Sequence, residues 1–384
     1  MNSIFHLRSS IFRQGATSVF ILVAMLLGLV GCGAQSRPVN QSAQNSSSEP
    51  AVENNLTFND ITLDQADEHG SRLWKVKAKH AIYSQDKKIA QLQSPRGELF
   101  QDGKVAYQIT ATQGELQQDG KQLFLKGQIV ATDPQNGVVM HGNELEWQPA
   151  EDLLIVRNHL TITHRQVQAV AQEAHVFSRA HRMELQDRVV AQAPAPQVQM
   201  RTEHLIWQIQ QQKMISDRPV QIERFKGKAI TDRGTANQGE FNLKTKIATL
   251  KPNAQVSLLD PPLQIASNSM SWNLNTETVT ADQPVRMVHR QQQLTASANR
   301  GRADLKKQIV YLTGDAYAVG QRGQSIKANQ LVWHLPSQEF EAEGNVFYRQ
   351  LKPPVSFTGP KAKGKLQDQN IVVSGGRVVT DIIP

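Results

Sequence analysis

The sequence predicts an all-β body built from about ten repeats of ~31 residues, and three observations carry that expectation. A six-residue pattern returns at a near-constant step from Ala78 to the C-terminal region. Alternating apolar stretches recur, as in Leu123-Phe124-Leu125-Lys126-Gly127-Gln128-Ile129-Val130 and Ile309-Val310-Tyr311-Leu312, and alternation is the mark of a half-buried strand. Turn clusters such as Pro149-Ala150-Glu151-Asp152, Asp133-Pro134-Gln135-Asn136-Gly137 and Leu335-Pro336-Ser337-Gln338 separate them.

The pattern is small-x-x-Φ-x-apolar, where Φ is Ala, Gly, Leu or Met, as in Ala78-Lys79-His80-Ala81-Ile82-Tyr83 and Ala328-Asn329-Gln330-Leu331-Val332-Trp333. Its fourth position falls at Ala81, Gly114, Leu145, Ala174, Leu205, Gly239, Met270, Gly301, Leu331 and Gly364. From Gly114 onward this position alternates small and large, and every large copy carries a tryptophan two residues later: Trp147, Trp207, Trp272 and Trp333. Residues i and i+2 share a face of a strand, so each Leu or Met points the same way as its tryptophan. Stacking of consecutive copies would then set a bulky pair above a small one, with an aromatic covering each glycine.

Parity within one copy makes a further demand. Position one and the apolar residue two before it (Ile109, Met140, Met200, Ile265, Ile326) share one face, whereas position four and the aromatic share the other. One extra residue between them, a β-bulge, would return both halves to the interior and bend the strand. Each copy then supplies two or three short strands, and ten copies make a body on the order of 50–100 Å long.

Ahead of the body, Arg8 and Arg13 precede an apolar run of about twelve residues, Val19 to Val30, which is short for a membrane span. The run ends in Leu29-Val30-Gly31-Cys32. A signal sequence that stops there resembles a bacterial lipobox, in which the cysteine is acylated and becomes the new N-terminus. Residues 1–31 thus read as a signal peptide, and 32–55 as the lipidated Cys32 and a flexible tether with a reach of roughly 25–30 Å. Residues 56–384 read as one continuous body, with a possible subdivision near the Pro-rich 193–197. Cys32 is the single cysteine, which fits an exported chain without a disulfide framework.

Formal charge is +8 for the whole chain and falls to +6 once Arg8 and Arg13 leave with the signal. Such a balance suits anionic lipid head groups or phosphorylated glycans, while nucleic acid is not a partner expected outside the cytoplasm. Signatures of catalysis are missing. No carboxylate pair interrupts the repeat at a privileged position, as glycoside cleavage would require, and most acids sit in turns, like Asp119, Asp152 and Asp368. His159 and His164, or His175 and His181, lack a zinc-ligand spacing. Neither a nucleophile elbow nor a phosphate-binding loop occurs. The expectation is a binding protein with no catalytic residues, no metal and no cofactor.

The opening Phe58-x-x-Ile61-x-Leu63-x-Gln65, followed by Gly70-x-x-x-Trp74-x-Val76-x-Ala78-x-x-Ala81-x-Tyr83, resembles the start of LptC, the periplasmic component of the lipopolysaccharide export machine. The next copy, Ile109-x-Ala111-x-x-Gly114-x-Leu116 followed by Leu123-x-Leu125-x-Gly127-x-Ile129, is similar to the repeat shared by LptC and the LptA (OstA-like) group. The resemblance covers residues 56–384. It implies a β-jellyroll: two facing antiparallel sheets, open along one side, with an apolar trough for lipopolysaccharide acyl chains. It also implies partners, namely an export ABC transporter at the inner membrane and an LptA-like bridge or outer-membrane jellyroll, reached by edge-to-edge strand contact. The chain departs from the family in its length, about twice the usual, and in carrying a lipobox instead of an uncleaved transmembrane helix. The expected location is the periplasm, anchored to a membrane, with the inner membrane favoured.

Two sets of residues follow as candidates. Leu116, Trp147, Trp207, Phe241, Trp272 and Trp333 are the expected lining of the trough, because each offers a large apolar surface on the repeated face. Val372, Val373, Val378 and Val379 lie in a β-branched C-terminal stretch whose only charges are Arg377 and Asp381, which makes them the expected partner edge. The rival reading is a structural or adhesive envelope lipoprotein whose repeat builds a rod with a closed core.

Overall fold

The computed structural model describes residues 56–84, 88–117, 122–368 and 370–382, all within the compact unit Glu53–Pro384. The signal sequence, Cys32, the tether and Asp119 lie outside the described residues. Thirty strands, from Leu56–Ala66 to Val379–Ile382, pair antiparallel into one ladder, and no α-helix interrupts it among the described residues. None of the described residues forms a helix long and apolar enough to cross a membrane.

The ladder is folded lengthwise into two facing leaves, as the strand Val138–Gln148 illustrates. Val138, Met140 and Gly142 are buried, then Leu145 and Trp147, so the inward parity changes between position one and position four of the repeat. Pairing shifts at the same place, between His141 and Glu144. The expected bulge is therefore present, and the strand turns a corner that puts its two halves in different leaves. Comparable shifts fall between Val170 and Glu173 and between Lys327 and Gln330.

The returning strands turn the same corner by a device that the repeat pattern alone did not reveal. Gly127-Gln128, Asn158-His159, Asp187-Arg188, Gly314-Asp315 and Gly344-Asn345 each carry two consecutive positive φ values. Two successive left-handed residues reverse the side-chain parity and bend the chain, and Gly, Asn and Asp tolerate that region best. The first residue of each pair stands thirteen positions after the fourth position of its copy, for example Gly127 after Gly114 and Gly344 after Leu331. Other corners carry proline at the equivalent place: Pro95, Pro219, Pro252 and Pro284. Proline lacks an N–H and cannot continue a ladder. Accordingly the strands end there, as Lys213–Ser216 and Val220–Lys226 do on either side of Pro219.

Two glycines of the alternating position, Gly239 and Gly301, serve these corners. A Cβ on Gly239 would come within 2.8 Å of Val220 Cγ1, and one on Gly301 within 2.8 Å of Val285 Cγ1. Val220 and Val285 directly follow the corner prolines Pro219 and Pro284. This corrects the stacking expectation, since a returning strand always lies between consecutive copies. Trp207 pairs with Met214, Met214 with Phe241, Phe241 with Ala248 and Ala248 with Trp272. The small residue makes room for a neighbouring corner instead of for a tryptophan stacked upon it.

Candidate functional site

The two leaves are joined along the corners, and their opposite margins are rows of hairpin tips that face each other across a seam. All six expected lining residues lie between the leaves. Trp147 and Trp272 are fully buried, Trp207, Phe241 and Trp333 nearly so, and Leu116 is the most accessible at 8 %. They belong to one continuous apolar cluster running from Trp74 to Leu366. Four ladder steps separate Trp207 from Trp272, about 19 Å at the usual strand spacing.

Each repeated tryptophan sits on the first leaf close to the seam and meets a partner from the second. Tyr107 packs edge-on against Trp147 at 6.1 Å and His164 against Trp207 at 5.2 Å, while His289 meets Trp333 at a tilt, at 5.6 Å. Burial holds both imidazoles below their ordinary pKa, which favours the neutral ring against the indole, and it pushes the Tyr107 phenol upward. Opposite Trp272 the series changes: a Cβ on Gly234 would be 3.1 Å from its ring, and two residues earlier stands Asp232, paired with Arg224. The three ring partners precede their tryptophans by forty, forty-three and forty-four residues, an offset too uneven to single them out in the sequence.

Polar contacts close the seam further. Tyr107 Oη and Ser178 Oγ are 2.8 Å apart, and Arg179 pairs with Asp102 at 2.9 Å. Arg224 reaches Glu277 at 2.9 Å. Near the C-terminal end Gln324 Nε2 donates to the Leu366 carbonyl, and Gln367 donates to the Gln292 carbonyl. A hollow of about 450 Å³ remains at the seam between Asp102, Lys104, Tyr107, Phe177, Arg179 and Arg182. The resemblance implied a side open to lipid. In this structure side chains shut that side, because aromatic and ionic partners from both margins fill it.

The closed interior also holds buried polar atoms without a hydrogen-bond partner. Among them are the indole Nε1 atoms of Trp147, Trp207 and Trp272 and the Nε2 of His289. Each such donor costs on the order of 1–3 kcal/mol when left unmet. An apolar interior carrying a line of unmet donors is suited to an amphiphile whose acyl chains bear ester or hydroxyl oxygens.

Among the described residues the ladder ends in strands paired on one side. Leu56–Ala66 pairs there only with Arg72–Tyr83, and its Leu56 and Phe58 are exposed. At the far end Asn370–Ser374 pairs with one half of Pro354–Lys365, and Val379–Ile382 with the other half. Val372, Val378 and Val379 are exposed there, Val372 at 63 %, while Val373 is half-buried against the core. The sequence candidates for the edge thus divide between an outward and an inward face of the terminal strands. Among the described residues no cluster of three or more His, Cys, Asp or Glu side chains is placed to hold a metal ion.

The sequence matches the family described as lipopolysaccharide-assembly, LptC-related, over residues 20–154 and again over residues 140–258. The chain belongs to the LptC-related family. No curated protein matches it. LptC-related proteins are transport and binding components of lipopolysaccharide export in the cell envelope. The two overlapping matches set LptC-like stretches in tandem, and the same ladder continues without a break beyond residue 258, through the pairing of Ala254–Leu258 with Leu263–Ser267.

Proposed function

We propose that this LptC-related chain is a periplasmic lipopolysaccharide carrier that takes lipid from the export transporter and passes it toward the outer membrane. The observation that carries the reading is the continuous apolar interior with three unmet indole donors, at Trp147, Trp207 and Trp272. A second reading, a structural rod, is favoured by the shut seam. Photo-reactive amino acids separate the two. Placed at Leu116, Trp147, Trp207, Phe241, Trp272 or Trp333, they are expected to crosslink to lipopolysaccharide in cells, whereas one at the hairpin tip Ser337 is not. Equal labelling at interior and tip positions would leave the rod as the better account.

The proposed anchor is an acylated Cys32 in the inner membrane, motivated by Leu29-Val30-Gly31-Cys32. Cys32→Ser is expected to accumulate as an unprocessed precursor without lipid. A processed mass identical to wild type would sink this part of the reading.

For hand-over, we propose that the terminal edges dock by strand addition, the Leu56–Ala66 edge to the transporter and the Asn370–Ser374 edge to a second jellyroll. Adjacent N–H groups of a strand point to opposite sides, so only one of Val372 and Val373 donates toward the open edge. Proline at the outward-donating position is expected to leave the fold intact and abolish association with the bridge protein. Wild-type association by that folded variant would exclude this edge as the docking site.

A further inference from the structure

We infer that lipid acyl chains enter the trough sideways, through the seam between Arg224 and Glu277, and that this ion pair is the latch of the entry site. The inference rests on the carrier reading above. Three features converge on the stretch from Lys213 to Asp304.

The first is the hinge. Outside this stretch and the shorter one at residues 89–117, strands such as Arg182–Pro194 and Glu339–Leu351 run unbroken from one leaf into the other, so hydrogen bonds tie the leaves together around the corner. Between Lys213 and Asp304 every strand is four to eight residues long. Three successive returning corners there contain proline, at Pro219, Pro252 and Pro284. Each removes a backbone donor from the corner line, so this is where the leaves can part with least loss of ladder.

The second is the chemistry of the latch. Arg224 is bound twice, to Asp232 on its own leaf and to Glu277 across the seam. Asp232 is 5 % exposed, and it also accepts from Thr231 Oγ1. Opening therefore leaves the guanidinium and the buried carboxylate paired with each other. Glu277 is 31 % exposed and regains water as it leaves. Neither half of the broken latch becomes an unpaired buried charge, which is the usual obstacle to separating an interior ion pair.

The third is what the latch covers and what flanks it. Trp272, with its unmet indole donor, lies beside Gly234 on the strand that carries Asp232. On the same lip, the next hairpin tip presents Leu259, 49 % exposed. An apolar side chain at the lip, a separable ion pair and a buried aromatic with a free donor form a path from surface to interior. The Asp102–Arg179 pair differs: Asp102 stands on a hairpin divided at Pro95, but the strands that flank Arg179, Val167–Phe177 and Arg182–Pro194, and the neighbouring Leu123–Asp133 are unbroken, and the Tyr107–Ser178 contact bridges the seam there as well.

The test is the rate at which the full chain takes up radiolabelled lipopolysaccharide. Glu277→Gln is expected to accelerate uptake, and Asp102→Asn to leave it unchanged. Arg224→Lys keeps the cation and permits a zero-length carbodiimide link to Glu277. Once peptide mapping shows that link formed, uptake is expected to be lost, whereas the wild type treated with the same reagent still loads. Equal behaviour of the two loosened variants, or loading by the linked protein, overturns the portal while leaving the carrier reading in place. Failure of the untreated wild type to load any lipid overturns the carrier reading, and the portal with it.

Discussion

Trp272→Ala is expected to destabilise the body by about 3–5 kcal/mol, the upper range for deleting a buried aromatic. The ring is fully buried. Its ladder neighbours on the same leaf are Ala248 and Val279, and the facing strand presents Gly234, so the residues paired with it or directly opposite it are too small to fill the space. Leu116→Ala, at a more accessible site, should cost less. Stability in a stacked ladder is transmitted from neighbour to neighbour, so a gap at its middle should also uncouple the two ends. Denaturant titration followed by circular dichroism is then expected to show a broadened or two-step transition for Trp272→Ala and a shifted single one for Leu116→Ala. An unshifted midpoint for Trp272→Ala would show that the interior is looser than the closed structure described above.

Arg224→Ala is expected to cost a comparable ~3–5 kcal/mol, by a different mechanism: it strands the nearly inaccessible Asp232 carboxylate without its cation. Losing the seam contact alone is a smaller matter. Glu277 is about one-third exposed, so Glu277→Gln should cost no more than about 1 kcal/mol. The double variant Arg224→Ala/Asp232→Asn should recover much of the loss, because the buried charge goes with its partner. A double-mutant cycle on denaturation midpoints measures the coupling. Additive losses from Arg224→Ala and Asp232→Asn would mean that the pair does not form.

The fold was legible in the sequence because its period is written into local chemistry. A strand must alternate, a corner must reset the alternation, and each copy repeats that demand, so the small first position, the parity conflict and its resolution by a bulge could all be read from Gly142-Asn143-Glu144-Leu145-Glu146-Trp147 alone. Burial of the tryptophans followed from the same parity. Less visible were the left-handed pairs of the returning strands, because Gly-Gln, Asn-His and Asp-Arg share a backbone conformation and no side-chain pattern.

By itself, then, the sequence determined the repeat, the all-β class, the inward face and the family. Only the tertiary structure decided what each inward residue meets. Tyr107 with Trp147, His289 with Trp333, and Arg224 with Glu277 are forty or more residues apart and belong to different leaves. Periodicity records which way a side chain points from its own strand. Which side chain answers it across the seam depends on how far one leaf is displaced along the other, and that displacement is set jointly by every corner and hairpin between them.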